Sequence, residues 1–179
     1  MEVFPSMSSS LPPGLSAADA ALAISEIERV FAARLRCMDT KQWHLYAALH
    51  TEDVVSETWG GLPGDKQPCT GDTANRVVGN QLLADTIRRL LDGPVRVTTV
   101  HHGHTPEIEL TSATAARGIW AMEDLLWWSD GDEELHLHGY GHYHEEYRRV
   151  DGRWLIGYRK LTRLRVDAPA DFFRFMKAL

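Results

Sequence analysis

The chain changes from helix-forming to strand-forming sequence at Val97-Thr98-Thr99-Val100-His101-His102-Gly103-His104-Thr105-Pro106-Glu107-Ile108. β-Branched residues open this segment, and a proline follows them, which is typical of a strand and its end. The segment also contains three of the nine histidines in the chain. A histidine on the wall of a cavity, with an ordinary pKa near ~6.5, is suited to move protons at neutral pH. The segment therefore predicts a strand and acid–base chemistry together.

Helices are predicted before this segment. Ser16 is a candidate N-cap for a helix that continues through Met38, because apolar residues recur at helical spacing behind it. A second, short helix is predicted within residues 39–49 and a third over Asn80 to Leu91, where Asp-Gly-Pro ends it. Between the second and third helices, Glu52 to Trp59 is predicted as a strand. A long polar loop to Thr73 follows it and is a candidate cavity lid.

Strands are predicted after the segment, and they end at Asp-Gly turns typical of hairpins. We place them at Val95 to His104, Glu107 to Thr111, Ala115 to Trp128, Leu137 to Val150 and Trp154 to Val166. A last amphipathic helix is predicted from Ala170 to Ala178. Helices first and an antiparallel sheet afterwards define an α+β fold class.

Length and composition predict one domain. The chain has 179 residues, of which 44% are hydrophobic, enough for one substantial core. We place this domain at residues 17–179 and predict a loose tail at residues 1–16, which is rich in proline and serine. The tail lacks the basic start and apolar centre of a secretion signal.

Charge and cysteine content exclude several classes of partner. A net charge of −6 argues against nucleic acid, which requires clustered surplus lysine and arginine. No apolar stretch reaches the length of a membrane span, so no membrane partner is expected. Cys37 and Cys69 lie in unlike contexts and indicate neither a disulfide framework nor a metal knuckle. A cytoplasmic location is expected.

Several motifs, taken in order, resemble the SnoaL-like branch of the nuclear transport factor 2 superfamily. They are Asp39 with Trp43 at the end of the first helix, Glu52-Asp53-Val54-Val55, His101 with Thr105 and Ile108, and Val150-Asp151-Gly152-Arg153-Trp154-Leu155-Ile156. The resemblance covers Ala20 to Val166 and is greatest to scytalone dehydratase and bile acid 7α-dehydratase. It implies a cone-shaped α+β domain, with a strongly curved antiparallel sheet wrapped around N-terminal helices and an apolar interior pocket.

The resemblance also implies site residues. His101 matches the catalytic base of the dehydratases, and Asp39 matches the acid that holds it. Asp124 matches a second acidic position of the bile acid enzyme. The tyrosine that these enzymes place just before the helix acid is missing, because Arg34, Leu35 and Met38 occupy the candidate positions.

These residues predict a cofactor-independent dehydratase or isomerase that acts on a small hydrophobic, ring-containing molecule such as a polyketide, steroid or aromatic compound. In such a reaction His101 moves the proton, while Asp39 or Asp124 orients the His101 ring. Alternation puts Tyr143 on one strand face with Glu145 and Tyr147, and the resemblance to scytalone dehydratase implies that this face is toward the cavity. Tyr143 is therefore a candidate donor to the carbonyl oxygen or a wall residue. Arg163 is a candidate for binding an acidic substrate group. The alternative function is a non-catalytic ligand carrier or accessory protein with the same pocket, in which His101 is only a core histidine.

A metal site is the less favoured alternative. Two HxH pairs, His136 with His138 and His142 with His144, lie on one predicted strand, and histidine is a common metal ligand. Tyr147 and Arg148 stand where a cupin-type site needs glutamate. We therefore expect no metal and place these histidines on the outer sheet face, at a subunit contact of a homodimer or higher homo-oligomer.

Overall fold

The computed structural model describes residues 11–60 and 76–169. The described chain forms three helices and six strands. In chain order these are α1 (Ala17–Asp39), α2 (Trp43–Ala47), β1 (His50–Gly60), β2 (Arg76–Val78), α3 (Asn80–Asp92), β3 (Thr98–Ser112), β4 (Ala115–Asp130), β5 (Glu133–Val150) and β6 (Arg153–Asp167). The predicted α+β class is confirmed. None of the described helices is long and apolar enough to cross a membrane.

Helix α1 packs one face against the sheet. Ser16 is its N-cap, since the Ser16 hydroxyl accepts a hydrogen bond from the Asp19 backbone N–H at 3.1 Å. Its inward residues are buried and spaced three to four apart: Ala20, Ala23, Ile27, Phe31, Arg34, Leu35 and Met38. The Phe31 ring stacks on Trp120 of β4 with centroids 3.6 Å apart. This contact fixes the helix, and hence its last residue, Asp39, over the sheet.

The six strands form one curved, unclosed sheet in the order β2-β1-β6-β5-β4-β3. Neighbouring strands are antiparallel as predicted, except that β1 and β6 are parallel, so the sheet is mixed. The parallel pair is allowed because α3 and four strands separate β1 from β6 in the chain, so no tight hairpin constrains their direction. The short strand β2, which pairs with β1, was not predicted.

The two strands predicted on either side of Pro106 are one continuous strand, β3. A register shift between Gly103 and Pro106 accommodates the proline. Because β3 is the last strand of the sheet, one side of its backbone has no ladder partner, and a proline costs little there. The prediction of a break at Pro106 was therefore wrong.

The alternation of buried and half-buried residues along β4 and β5 defines two sheet faces. The inner face, which we define as the face toward α1, consists of the even residues of β4 from Ala116 to Trp128 and the odd residues of β5 from Leu137 to Tyr147. The outer face consists of the residues between them. The predicted C-terminal helix, the candidate lid loop after Gly60, Cys69 and the first ten residues of the predicted tail lie outside the described residues.

Candidate functional site

Asp39 and His101 meet where the end of α1 crosses the edge strand β3. The Nδ1 atom of His101 lies 2.6 Å from Oδ1 of Asp39. The backbone N–H of His101 donates to Oδ2 of the same carboxylate at 3.1 Å. One carboxylate thus holds both the ring and the main chain of His101, which fixes the orientation of the imidazole. The expected contact between these residues is present.

The Asp39 carboxylate is held in its ionised form by its neighbours. It ends a helix, where the dipole disfavours negative charge. Burial also opposes ionisation, but the hydrogen bonds from His101 and from the Thr99 hydroxyl, at 2.8 Å, outweigh it and lower the pKa of Asp39. Lys41 donates to that same Thr99 hydroxyl at 3.2 Å. The neighbouring residues thus stabilise the negative charge of Asp39 at the C-terminal end of a helix, where the helix dipole alone would disfavour it.

The other ring nitrogen of His101 is left for chemistry. Since the Asp39 carboxylate only accepts hydrogen bonds, the proton of the neutral imidazole belongs on Nδ1, and Nε2 presents its lone pair. Within the described residues, Nε2 has no hydrogen-bond partner. The His101 side chain is 7% exposed, so few water molecules compete for it. This arrangement can act as a general base.

Asp124 lies directly opposite His101 in the β3–β4 ladder. Its carboxylate nevertheless bonds Arg163 of β6, with two N–O distances of 2.6 Å in a bidentate pair. Gly139 makes room for this pair, because a Cβ there would collide with both the carboxylate and the guanidinium. The structure therefore joins Asp124 to Arg163, the residue predicted to bind substrate, and leaves Asp39 as the only described carboxylate bonded to the His101 ring.

Tyr143 lies on the inner face, as the family resemblance implies, and is fully buried. Its ring contacts the edge of Phe31, with centroids 5.9 Å apart, and the Arg34 guanidinium lies 4.4 Å from its centre. Burial raises the pKa of Tyr143, so its hydroxyl stays protonated. Within the described residues, this hydroxyl has no hydrogen-bond partner. It remains a candidate donor.

A buried cluster of charged residues lies beside Tyr143 and was not predicted. Arg34 forms an ion pair with Glu145 at 3.0 Å, and both side chains are completely buried. Glu145 also accepts a hydrogen bond from the Tyr147 hydroxyl at 2.6 Å. Arg159 donates to the Tyr46 hydroxyl. The only sequence signals were the alternation that places Glu145 and Tyr147 on the side of Tyr143, and the arginine that replaces the missing tyrosine.

The two HxH pairs lie on the outer face, as predicted, since their neighbours Leu137 and Tyr143 are buried. His138 Nε2 bonds Glu123 at 2.6 Å, and His144 Nε2 bonds Thr162 at 3.0 Å. In the part of the chain that the structure describes, no three His, Cys, Asp or Glu side chains are grouped to hold a metal ion.

Comparison with known proteins identifies the family. The family model for the SnoaL-like domain matches residues 19–160, and the chain belongs to this family. The resemblance stated from the sequence is thereby confirmed.

Solved structures share the fold at low sequence identity. A protein from Novosphingobium aromaticivorans DSM 12444, assigned provisionally as a scytalone dehydratase, is 18% identical with a TM-score of 0.69, covering 86% of this chain and 92% of that one. A type 2 hexachlorocyclohexane dehydrochlorinase is 20% identical with a TM-score of 0.69, covering 87% and 94%. The type 3 enzyme from Novosphingobium barchaimii LL02 is 17% identical with a TM-score of 0.68, covering 87% and 95%.

Proposed function

We propose that the protein is a dehydratase or isomerase that uses no cofactor and acts on a small hydrophobic, ring-containing molecule. The observation that supports this most is the His101–Asp39 pair, in which one ring nitrogen is fixed by a carboxylate and the other has no partner among the described residues. Unlike the buried His50, whose ring is held by a backbone carbonyl, His101 is held by a carboxylate, which can stabilise the imidazolium that proton transfer forms. The free nitrogen favours proton transfer.

The proposed reaction is the elimination of water from a β-hydroxy ketone or a similar compound. Nε2 of His101 takes the proton next to the carbonyl, and the electron pair of that C–H bond forms the double bond as the hydroxyl leaves. The imidazolium, stabilised by the Asp39 carboxylate, then returns its proton to the departing oxygen. Because one residue serves both steps, hydrogen and hydroxyl leave from the same face of the substrate.

Charge that develops on the carbonyl oxygen needs a donor. The Tyr143 hydroxyl is the proposed donor, since it is protonated, buried and without a partner in the described chain. A donor in such a low-dielectric setting stabilises an oxyanion far more than it would in water. Replacing it should slow the reaction and leave the proton-transfer residues in place.

The structural neighbours support the class of reaction. They are a protein assigned provisionally as a scytalone dehydratase and two hexachlorocyclohexane dehydrochlorinases. At these identities they indicate a shared fold, and substrate identity is left to experiment. We also propose that the outer sheet face is the subunit contact of a homodimer or higher homo-oligomer, because half-buried aromatic and histidine side chains line it.

Proton exchange in D₂O tests the proposal. The protein is incubated with a set of cyclic ketones and cyclic β-hydroxy ketones of one to four rings, and NMR follows both α-deuteration and loss of the hydroxyl. We expect protein-dependent exchange for at least one ketone and elimination for its hydroxylated partner. A ketone that binds, by calorimetry, yet is recovered without deuterium would establish the carrier function instead.

A further inference from the structure

Three charged side chains are buried together on the inner side of the sheet. Arg34 of α1, Glu145 of β5 and Arg159 of β6 are 0%, 0% and 3% exposed. Glu145 and Arg159 are direct partners in the β5–β6 ladder, so their side chains leave the sheet on the same face. Charged residues of these types are almost never fully buried unless they are paired.

The cluster is incompletely paired within the described chain. Arg34 contacts Glu145 at 3.0 Å as an ion pair, but Nε, Nη1 and Nη2 of Arg34 are buried without a hydrogen bond. Arg159 has the Tyr46 hydroxyl as its partner, and no described carboxylate forms an ion pair with it. Two guanidinium groups are therefore buried with one carboxylate, and only Arg34 is paired with it.

The neighbouring histidine adds no negative charge and leaves a further polar atom unsatisfied. His50 Nδ1 lies 2.8 Å from the backbone carbonyl of Tyr46, while Nε2 is buried with no partner among the described residues. Burial, together with the charges of Arg159 and Arg34, lowers the pKa of His50 to about 3, so it is neutral at pH 7. The cluster of Arg34, Glu145, Arg159 and His50 carries a net charge of about +1 and several unused hydrogen-bond donors.

An uncompensated buried charge costs several kcal/mol even after relaxation of the protein. A bound anion removes this cost, because it supplies the missing charge and accepts the unused hydrogen bonds. We propose that Arg34 and Arg159 form a binding subsite for an anionic oxygen group, a carboxylate or a phenolate, of the molecule that occupies the interior. The ligand is thus an acid with an apolar body.

The position of the cluster suits a ligand that also reaches His101. Arg34 and Asp39 both lie on α1, five residues apart, which is about 7.5 Å along the helix axis. The ring of Tyr143 lies between the two arginines, 4.4 Å from the Arg34 guanidinium carbon and 5.8 Å from that of Arg159. This inference goes beyond the proposed function, since a carrier and an enzyme would use the same subsite.

Paired probes that differ only in charge test the subsite. We would titrate the full-length protein by calorimetry at pH 7 with benzoate and benzamide, and with 2-naphthoate and 2-naphthamide. Because hydrogen bonds to charged groups contribute about twice as much as neutral ones, the larger carboxylate should bind about 10- to 100-fold more tightly than its amide. Equal affinities within either pair, or no binding of any probe to the wild-type protein, would overturn the proposal.

Variants locate the subsite. Arg159→Met should reduce the preference for the carboxylate to less than about threefold, whereas Arg165→Met, an exposed arginine on the same strand, should leave it unchanged. Without any anion, Arg159→Met should melt at a higher temperature than the wild type, because an uncompensated charge has been removed. His101→Ala should keep the preference, so loss of turnover in that variant does not bear on the subsite. If Arg159→Met kept the full preference for the carboxylate over the amide, or melted at a lower temperature than the wild type, the assignment would be contradicted.

Discussion

Two histidine–carboxylate pairs on opposite faces of the sheet have the same nitrogen–oxygen distance and different surroundings. His101 and Asp39 inside, and His138 and Glu123 outside, are each joined by a distance of 2.6 Å. The His101 side chain is 7% exposed and that of His138 is 26% exposed. His101 Nε2 has no partner in the described chain, whereas the second nitrogen of His138 lies 3.1 Å from the Tyr140 hydroxyl. Glu123 is further shared with His102 at 3.4 Å.

The difference shows that a short histidine–carboxylate distance does not by itself define a reactive site. Surface pairs of this kind contribute little, because solvent screens them and can replace either partner. In the inner pair, the His101 side chain is 7% exposed and the Asp39 side chain 23%, so the ring is held in one orientation while its second nitrogen has no partner among the described residues. The outer pair is therefore a natural control for the inner pair in experiments on turnover.

The largest effect is expected from removing the two rings. Once a substrate is known, His101→Ala should lower turnover by about 10²- to 10⁴-fold, the usual contribution of a positioned general base. His138→Ala should change turnover by less than about twofold, because its ring faces away from the interior. Binding of the ligand, measured in parallel, should survive in both variants. If His101→Ala turned over its substrate at the wild-type rate, the protein would still be an enzyme, but this mechanism would be refuted.

A comparable effect on stability is expected from the inner arginine. Arg163→Met leaves the Asp124 carboxylate, whose side chain is 5% exposed, buried without its counter-ion. Chemical denaturation should show a loss of about 3–5 kcal/mol, most of which the double change Asp124→Leu with Arg163→Met should restore. Arg165→Met, which breaks an exposed pair with Asp167, should cost less than about 1 kcal/mol. Equal losses in the two single variants would mean that Arg163 and Asp124 are solvated.

A smaller effect is expected from acid. His50 has a pKa of about 3 in the folded protein and near ~6.5 when unfolded, so between these values the unfolded chain binds the proton and the folded chain does not. Its contribution to stability is complete above pH 6.5 and decreases as the pH falls toward 3. Lowering the pH from 7 to 5 should therefore cost about 2 kcal/mol through His50 alone. His50→Asn keeps a donor for the Tyr46 carbonyl, and its free energy of unfolding should fall by about 2 kcal/mol less than that of the wild type between pH 7 and pH 5. An equal fall in both proteins would argue that His50 is charged or accessible in the folded state.

The smallest effect is expected from neutralising the carboxylates. Asp39→Asn should lower turnover by about tenfold, because an amide still accepts from Nδ1 but stabilises the imidazolium less than a carboxylate does. Glu123→Gln should leave turnover unchanged. If Asp39→Asn were as active as the wild type, the ring would be held by its packing, and the inner carboxylate would be no more important than the outer one.

Local signals in the sequence predicted most of the fold. Ser16 begins α1 as expected, and the alternation in β4 and β5 assigns their faces correctly, because capping and periodicity depend on near neighbours. The parallel pairing of β1 with β6 and the continuity of β3 through Pro106 depend on which strand lies at the edge. That information is not local, and both features were missed.

The site was predicted less completely. The pairing of Asp39 with His101 came from family resemblance and agrees with the geometry. The partner of Asp124 was missed, because ladder register places Asp124 opposite His101 and only the three-dimensional arrangement brings Arg163 within 2.6 Å. The cluster around Arg34 and Glu145 was missed because charged residues are normally assigned to the surface, and their burial contradicts that rule.

The protonation of His101 tests the central claim most directly, since it requires no substrate. The protein labelled with ¹⁵N on histidine would be studied by long-range ¹H–¹⁵N NMR at the highest pH at which it stays folded, and His101→Gln would assign its signals. The account predicts the tautomer with hydrogen on Nδ1, bonded to Asp39, and an unprotonated Nε2. A ring with hydrogen on Nε2, or one that exchanges rapidly between tautomers as an exposed histidine does, would contradict the claim that Asp39 prepares His101 as a base.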